Sequence, residues 1–335
     1  MKLLADKRGM ALLLALMVVA ILVTVTVQLA TTVNWQLYGA YNQADTLRLD
    51  SVLVSGLHIG LALVASDAQN RGPDTLFDEW ALYEPNKLSA FFGDEEVDLK
   101  IVDLSGRLQI NALVRENRGE TGSQQSTIDD NQKALWSRLL NSGRFAVEGE
   151  EETEALLEAL ADWIDEDDEE RLNGAENGYY QSLGTGISCR NAPFLHPEEL
   201  LAVKGMSREL LYGTDEKDGL INYITVYGRD GKININTADP LILGILADGI
   251  PEDVIEALVE YRSDESNKES LGDTIWYKNV SGFPSDIDIT ATLLRTDSFY
   301  FQVTVNASHE KLTRQGVGII KHSSTGQELL SWKLQ

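Results

Sequence analysis

A run of acidic side chains between residues 165 and 176 has the composition of a cation site. Asp165, Asp167 and Glu169 are spaced two residues apart, and Glu176 follows after a polar stretch. Calcium binds about six to eight oxygen ligands in irregular geometry, so such a loop suits it. The run contains no Cys and no His, which argues against zinc. The sequence predicts a structural calcium ion, with these candidate ligands: Asp162, Asp165, Asp167, Asp168 and Glu176.

The spacing of these carboxylates is similar to that of an EF-hand loop, with Asp165 at position 1 and Glu176 at position 12. An EF-hand has glycine at position 6 for its sharp turn, whereas this chain has Glu170 there. We therefore expect neither EF-hand geometry nor the opening motion of a calcium sensor. The alternative interpretation is a solvated acidic face, which is what most charge runs are. Repulsion among so many carboxylates favours a bound cation.

Apolar segments on both sides of the acidic run are placed to hold it in position. Thr153 is the predicted N-cap of a helix that precedes the run, and Tyr179 and Tyr180 follow the run. Helical spacing places four apolar residues on one face of that helix: Leu156, Leu160, Trp163 and Ile164. The run is thus a loop between anchored elements.

The overall charge argues against a nucleic acid partner. The chain has 53 acidic and 28 basic residues, for a formal net charge of −25, and phosphate binding requires a basic surface. Residues 234–262 have the pattern of a helix-hairpin-helix unit with Gly249 in the hairpin, and residues 197–210 form a weaker unit. Acidic neighbours of Gly249 repel phosphate, so we interpret both units as helix pairs that pack a small domain.

The sequence predicts no enzyme activity. Its four His residues and Cys189 are scattered, and none of them lies in a nucleophile, zinc-protease or phosphate-loop motif. A single cysteine also excludes an intrachain disulfide.

The N-terminal segment predicts a membrane span. No charged residue occurs between Arg8 and Asp45, and the apolar run 10–33 reaches about 36 Å as a helix, enough to cross a hydrocarbon core of about 30 Å. A secretory signal peptide fits less well, because the run is too long and no A-x-A cleavage pattern follows it. A plain membrane anchor remains open on hydropathy alone.

The junction before this run resembles the processing site of type IV prepilins and pseudopilins. Lys7 and Arg8 precede Gly9 and Met10, and the apolar run begins at once. The resemblance implies that a prepilin peptidase cleaves after Gly9 and methylates the amino group of Met10. Basic residues before the span place the N-terminus in the cytoplasm, so we expect a single-pass inner-membrane protein with a periplasmic C-terminal domain.

Most pilins have Glu at the fifth mature position, which is Leu14 here. The departure is similar to that of the K subunits of type II secretion (general secretion pathway protein K family). Segments resembling that family lie at 102–113, 159–180, 190–206 and 227–243. The resemblance implies bound calcium, assembly with minor pseudopilins I, J and H, and capping of the periplasmic pseudopilus tip. A tip minor pilin of a type IV pilus and a DNA-uptake pseudopilin are the alternatives.

The predicted fold class is α+β: a pilin-like long N-terminal helix, from Met10 to Gln69, packed on a small antiparallel sheet, with a large inserted all-helical domain of SAM-like or helix-hairpin-helix-like type. Predicted strands are Val97–Asp103, paired with Arg107–Ile110, and three more near 299–305, 316–321 and 328–334. The predicted segments are a leader (1–9), a transmembrane helix (10–33), the rest of the long helix with the first strands (34–111), the inserted domain (112–295) and the C-terminal strands (296–335).

Overall fold

A computed structural model describes residues 7–67, 72–83, 91–118, 124–323 and 326–335. The helices are α1 (Lys7–Asp67), α2 (Glu79–Leu82), α3 (Asp130–Leu140), α4 (Gly149–Ile164), α5 (Asn177–Ser182), α6 (Arg208–Tyr212), α7 (Pro240–Ile245) and α8 (Glu252–Ser263). The strands are β1 (Glu96–Asp103), β2 (Leu108–Gln109), β3 (Val114–Arg118), β4 (Gln124–Ile128), β5 (Ile224–Thr225), β6 (Ile233–Asn234), β7 (Leu294–Arg295), β8 (Tyr300–His309), β9 (Leu312–Ser323) and β10 (Gly326–Leu334).

Helix α1 is uninterrupted for 61 residues, which corresponds to about 90 Å. Its N-terminal part is exposed along its length, and it contains the candidate membrane span. Leu49 is the first fully buried residue, and from there α1 packs on the sheet. The predicted long helix is confirmed, although Gln69, its predicted last residue, lies outside the described residues.

The main sheet has four antiparallel strands in the order β1-β8-β9-β10. One face carries alternating apolar residues, including Val97, Leu99, Val303 and Val305, which form a core with α1. The long helix α1 and this antiparallel sheet together confirm the predicted fold class.

The predicted pairing of Val97–Asp103 with Arg107–Ile110 is wrong. All eight residues of β1 pair with β8, whereas Leu108 pairs in parallel with Ile224 of β5. The backbone N–H of Ser105 donates to Asp103 Oδ1 at 2.7 Å, and this turn directs the chain away from the sheet. Strand β8 also offers β1 a longer alternating apolar face than four residues can.

The chain leaves the main sheet at Asp103 and returns to it at Tyr300, and the region between has its own large core. This region is mostly helical, but the expectation that it is all-helical is wrong. It contains three two-stranded sheets: β2 with β5, β3 with β4, and β6 with β7. The exact segment boundaries given above stay a prediction.

The predicted helix pair at 234–262 is present as α7 and α8. Asp239 caps α7 by accepting a hydrogen bond from the Leu241 N–H, Pro240 occupies the first turn, and Gly249 adopts a φ of +75° in the connection. The role predicted for Thr153 is wrong, because α4 begins at Gly149, a full turn earlier. Thr153 instead lies inside the helix and donates its hydroxyl to Asn141 Oδ1 at 3.1 Å.

A buried polar junction connects the sheet to the inserted region. The carboxylate of Asp103 accepts hydrogen bonds from the Ser105 N–H, the Ser298 hydroxyl at 2.6 Å and the Thr237 hydroxyl at 2.5 Å. Burial raises the pKa of Asp103, and these donors counteract part of that effect by stabilising the charged form.

The same junction includes the segment that follows α1. The carbonyl oxygen of Asp74 accepts hydrogen bonds from the side-chain amides of Asn234 and Asn236, each at 3.2 Å. Its carboxylate accepts from the Ser298 N–H at 2.6 Å. The segment around Asp74, the sheet and the inserted region are therefore held together by one set of hydrogen bonds.

Two glycines allow α1 to lie close to β8. A Cβ atom built on Gly56 would lie 2.6 Å from Val305 Cγ1, and one on Gly60 would lie 2.7 Å from Val303 Cγ1. Both valines are fully buried and have stiff β-branched side chains, so they have little room to move.

We predict that Gly56→Ala destabilises the protein, although alanine is the better helix former by about 1 kcal/mol. Overpacking against Val305 costs about 1–3 kcal/mol. Denaturant unfolding of the full chain in detergent measures the change. The Gly56→Ala/Val305→Ala double variant should lose less stability than the sum of the two single variants, because the shorter side chain removes the clash. Strictly additive effects would contradict this explanation.

Candidate metal centre

The acidic loop lies between α4 and α5, and aromatic packing holds both of these helices. Asp165 is the C-cap of α4, and Glu176 is the residue that precedes α5. Trp163 packs edge-on against Tyr180 with ring centroids 5.2 Å apart, and it stacks on Phe194 at 6.2 Å. The two ends of the loop are thus brought together by the core.

Three of the predicted ligands converge. Asp165, Asp167 and Glu176 each place one carboxylate oxygen within 4.8 Å of the others. Asp165 and Glu176 are each only 3% exposed. Neither oxygen of Glu176, nor Oδ1 of Asp165, accepts a hydrogen bond of ordinary geometry from the described residues. Buried carboxylates without donors are costly unless a cation compensates them.

Burial of these carboxylates without compensating charge also raises their pKa values. Burial raises the pKa of Glu176 to about 7, and the nearby charges of Asp162 and Asp165 add to this shift. Burial likewise raises the pKa of Asp165 to about 6, although Arg171 opposes the change. A divalent cation among these oxygens would stabilise their charged forms at neutral pH.

Asp162 lies outside this group of three because protein donors satisfy it. Its carboxylate accepts hydrogen bonds from the Arg171 guanidinium and from the Ala175 N–H at 2.8 Å. Gly174 makes this approach possible, since a Cβ atom there would lie 1.9 Å from Asp162 Oδ2. The Arg171 guanidinium also donates to Asp165 Oδ2 at 2.6 Å, so it bridges the two aspartates.

Asp168 also lies outside the group. It accepts hydrogen bonds from the side-chain amides of Asn177 at 2.7 Å and Asn191 at 3.1 Å. Asn191 adopts a φ of +47°, and its amide also donates to the Asp167 carbonyl at 2.6 Å. Its Oδ1 is buried without a donor among the described residues, so it is a further oxygen beside the loop.

Sequence reasoning did not identify Arg171 or Asn191 as parts of this site. Arg171 is the one basic residue inside the acidic run, which was the available signal. Asn191 follows Glu176 by fifteen positions, and only folding brings it to the loop. Glu169, at the fifth EF-hand position, is exposed and stays outside the group of three.

The donor set fits a hard divalent cation. It consists of carboxylate oxygens, and water can supply the remaining ligands of a calcium ion. Cys189 lies beside Glu176, but burial raises the pKa of its thiol to about 12, so it supplies no thiolate at neutral pH. Asp165, Asp167 and Glu176 would hold the ion, and the ion would supply the positive charge that these oxygens lack.

The predicted processing and assembly residues lie at the other end of the molecule. Gly9, Met10 and Leu14 are exposed on the first turns of α1, and nothing lies within 4 Å of a Cβ atom built on Gly9. Residues 1–6 of the predicted leader lie outside the described residues.

Comparisons with known proteins agree on one family. The family described as type II secretion system (T2SS), protein K, matches residues 106–214, which include the whole acidic loop. Protein K of the type II secretion system of Klebsiella pneumoniae is 27% identical over 265 residues, covering 76% of this chain and 73% of the relative. Its Pseudomonas aeruginosa counterpart is 25% identical, covering 75% of this chain and 72% of the relative.

A solved structure shares the fold. It is the GspK-GspI-GspJ complex of the enterotoxigenic Escherichia coli type 2 secretion system, and one of its chains superposes with a TM-score of 0.65 at 17% identity. The match covers 88% of this chain and 98% of that one. The solved structure shows the shared fold. The chain therefore carries the domain of type II secretion system protein K at residues 106–214, and its similarity to that protein over three quarters of its length identifies it as a minor pseudopilin of that system.

Proposed function

We propose that this minor pseudopilin caps the tip of the periplasmic pseudopilus and initiates its assembly. The observation that carries the proposal is Leu14, an apolar residue at the fifth mature position where most pilins have Glu. A carboxylate inside a membrane is costly unless it meets a partner, and a subunit with no neighbour above it has no such partner.

The inserted region supports the same position. The chain departs from the sheet between β1 and β8, and this region folds around a core that is larger than the one between α1 and the sheet. Because the inserted region is so large, another subunit is difficult to add above this one. It fits the end of a filament better than the interior.

The partners that we propose are minor pseudopilins I and J, with H below them. The solved relative is described as a complex of GspK with GspI and GspJ, and it supports the first two. Prepilin peptidase is the proposed processing enzyme, acting between Gly9 and Met10. The inner membrane is the proposed location, with the N-terminus cytoplasmic and the folded body periplasmic.

We further propose that the acidic loop binds a structural calcium ion through Asp165, Asp167 and Glu176. The three converging oxygens and the buried carboxylate of Glu176, which no charged donor among the described residues compensates, support this proposal. The ion would stabilise the connection between α4 and α5 and has no catalytic role.

Tip location predicts labelling at one end only. Immunogold against an epitope on the folded body, applied to pseudopili assembled with all subunits, should mark a single end of each filament. Labelling of the major pseudopilin along the entire length serves as the control. Gold distributed along the filament would overturn the proposed tip role without affecting the family assignment.

Processing predicts a defined new N-terminus. Mass spectrometry of the chain isolated from membranes should find a peptide that begins with methylated Met10. A Gly9→Leu variant should retain its leader, because the peptidase then lacks its cleavage residue. A chain that still begins at Met1 in the presence of the peptidase would leave only an anchored protein.

Calcium should raise the melting temperature of the full chain after chelation. A ligand present at 100 times its Kd stabilises the folded state by about 2.7 kcal/mol. Glu176→Gln should lose most of this calcium-dependent shift, because it removes a converging carboxylate. The matched control is Glu170→Gln, which removes the same charge from an exposed position of the same loop and should retain the shift.

The two variants should also differ without calcium. Glu176→Gln removes a buried charge that no charged donor among the described residues compensates, so the chelated variant should be at least as stable as the chelated parent protein. If calcium leaves the melting temperature of the parent protein unchanged, the metal proposal is contradicted.

A further inference from the structure

The segment of α1 between the apolar run and the folded body has three prominent aromatic residues. Trp35 is 77% exposed, and Tyr38 and Tyr41 are each 67% exposed. They lie three residues apart, so they share one face of the helix within an arc of about 120°. A set of large aromatic rings on one exposed face requires a partner surface.

The folded body is not that partner. Leu49 is the first fully buried residue of α1, about 21 Å beyond Trp35 at 1.5 Å per residue. In the described part of the chain, none of the three aromatic residues belongs to a core cluster or to a ring pair. Helix α1 is continuous here, so its axis extends directly from the membrane span into this segment.

The position along α1 indicates what the partner is. A bilayer is about 30 Å thick in its hydrocarbon core and about 40–45 Å with both headgroup layers. If Met10 lies in one headgroup layer, Trp35 is about 37 Å along the helix, which falls in the opposite headgroup layer. Tyr38 lies one turn further, and a helix tilt of about 20° brings Tyr41 to the outer margin of that layer.

The chemistry of the segment agrees with this depth. Tryptophan and tyrosine concentrate where membranes meet water, because their rings are apolar and their N–H and O–H groups are polar. Asn34 and Gln36 flank Trp35, and there is no charged residue between Arg8 and Asp45. Lys7 and Arg8 mark the other end of the span, so the aromatic residues are the anchoring side chains available at this end.

We propose that Trp35 and Tyr38, with Tyr41 at the margin, bind the phospholipid headgroup region and set the depth of α1 in the bilayer. The inference rests on the proposed membrane location. The anchor holds the folded body clear of the lipid surface, since the helix between Tyr41 and Leu49 rises about 12 Å further. The body is thereby presented for assembly at a defined height.

The test uses the full chain in phosphatidylethanolamine and phosphatidylglycerol vesicles. Subtracting the emission of Trp35→Phe from that of the parent protein isolates the Trp35 signal, because four of the other five tryptophans are buried and Trp332 is partly buried. Nitroxide lipids labelled near the headgroup should quench this signal several-fold more than lipids labelled deep in the acyl chain. Aqueous iodide should quench it several-fold less than it quenches free N-acetyltryptophanamide.

Two controls separate the possible failures. Trp332→Phe should leave the headgroup-nitroxide quenching unchanged, since that ring packs on Gly316 in the sheet. Flotation of the vesicles tests the membrane location itself. If the chain does not float, the membrane location fails. If the chain floats but Trp35 is as accessible to iodide as the free amide, or is quenched most by the deep nitroxide, only the interfacial anchor is overturned.

Discussion

Asp103 is a buried carboxylate at the point where the chain leaves the sheet, and its need for hydrogen-bond donors organises the molecule. An unsatisfied buried carboxylate costs several kcal/mol, on the order of the net stability of a small domain. The donors come from Ser105, Thr237 and Ser298, which are far apart in sequence. The start, the middle and the end of the inserted region must therefore meet at one place. Asp74, which lies beyond the end of α1, joins the same network through Asn234 and Ser298.

The acidic loop contains a second cluster of buried carboxylates, and the protein compensates only part of its negative charge. The Arg171 guanidinium compensates Asp162 and one oxygen of Asp165 within the protein. Glu176 and the other oxygen of Asp165 have no such donor among the described residues. Under the proposal of a bound calcium ion, this ion would compensate the remaining oxygens, and the stability of the loop would then depend on the calcium concentration. The division also separates Asp162 from the candidate ligands, although composition alone treats all five carboxylates alike.

Many elements of the fold were predicted correctly from patterns among residues that are close in sequence. The apolar run and its flanking charges predicted α1, because helix length and bilayer thickness are simple geometric quantities. Alternation at 299–305 predicted β8, and Asp239 with Pro240 predicted the start of α7, because caps and strand faces depend on neighbouring residues. The wrong strand prediction concerns a pairing between residues that are far apart in sequence. Arg107–Ile110 was paired with the nearest strand, yet β2 joins β5 more than a hundred residues later, because Leu108 is buried in the core of the inserted region.

The sequence by itself determined the class of this protein and the general place of its charge cluster, since a long apolar helix, the predicted processing junction before it and a carboxylate-rich run are each contiguous segments of the chain. Only the tertiary structure decided which carboxylates converge and which are already compensated. That choice depends on Arg171 reaching across the loop, on Gly174 leaving room for Asp162, and on Asn191 arriving from a distant turn. Such contacts are set by packing between elements, and residue spacing along the chain does not encode them directly.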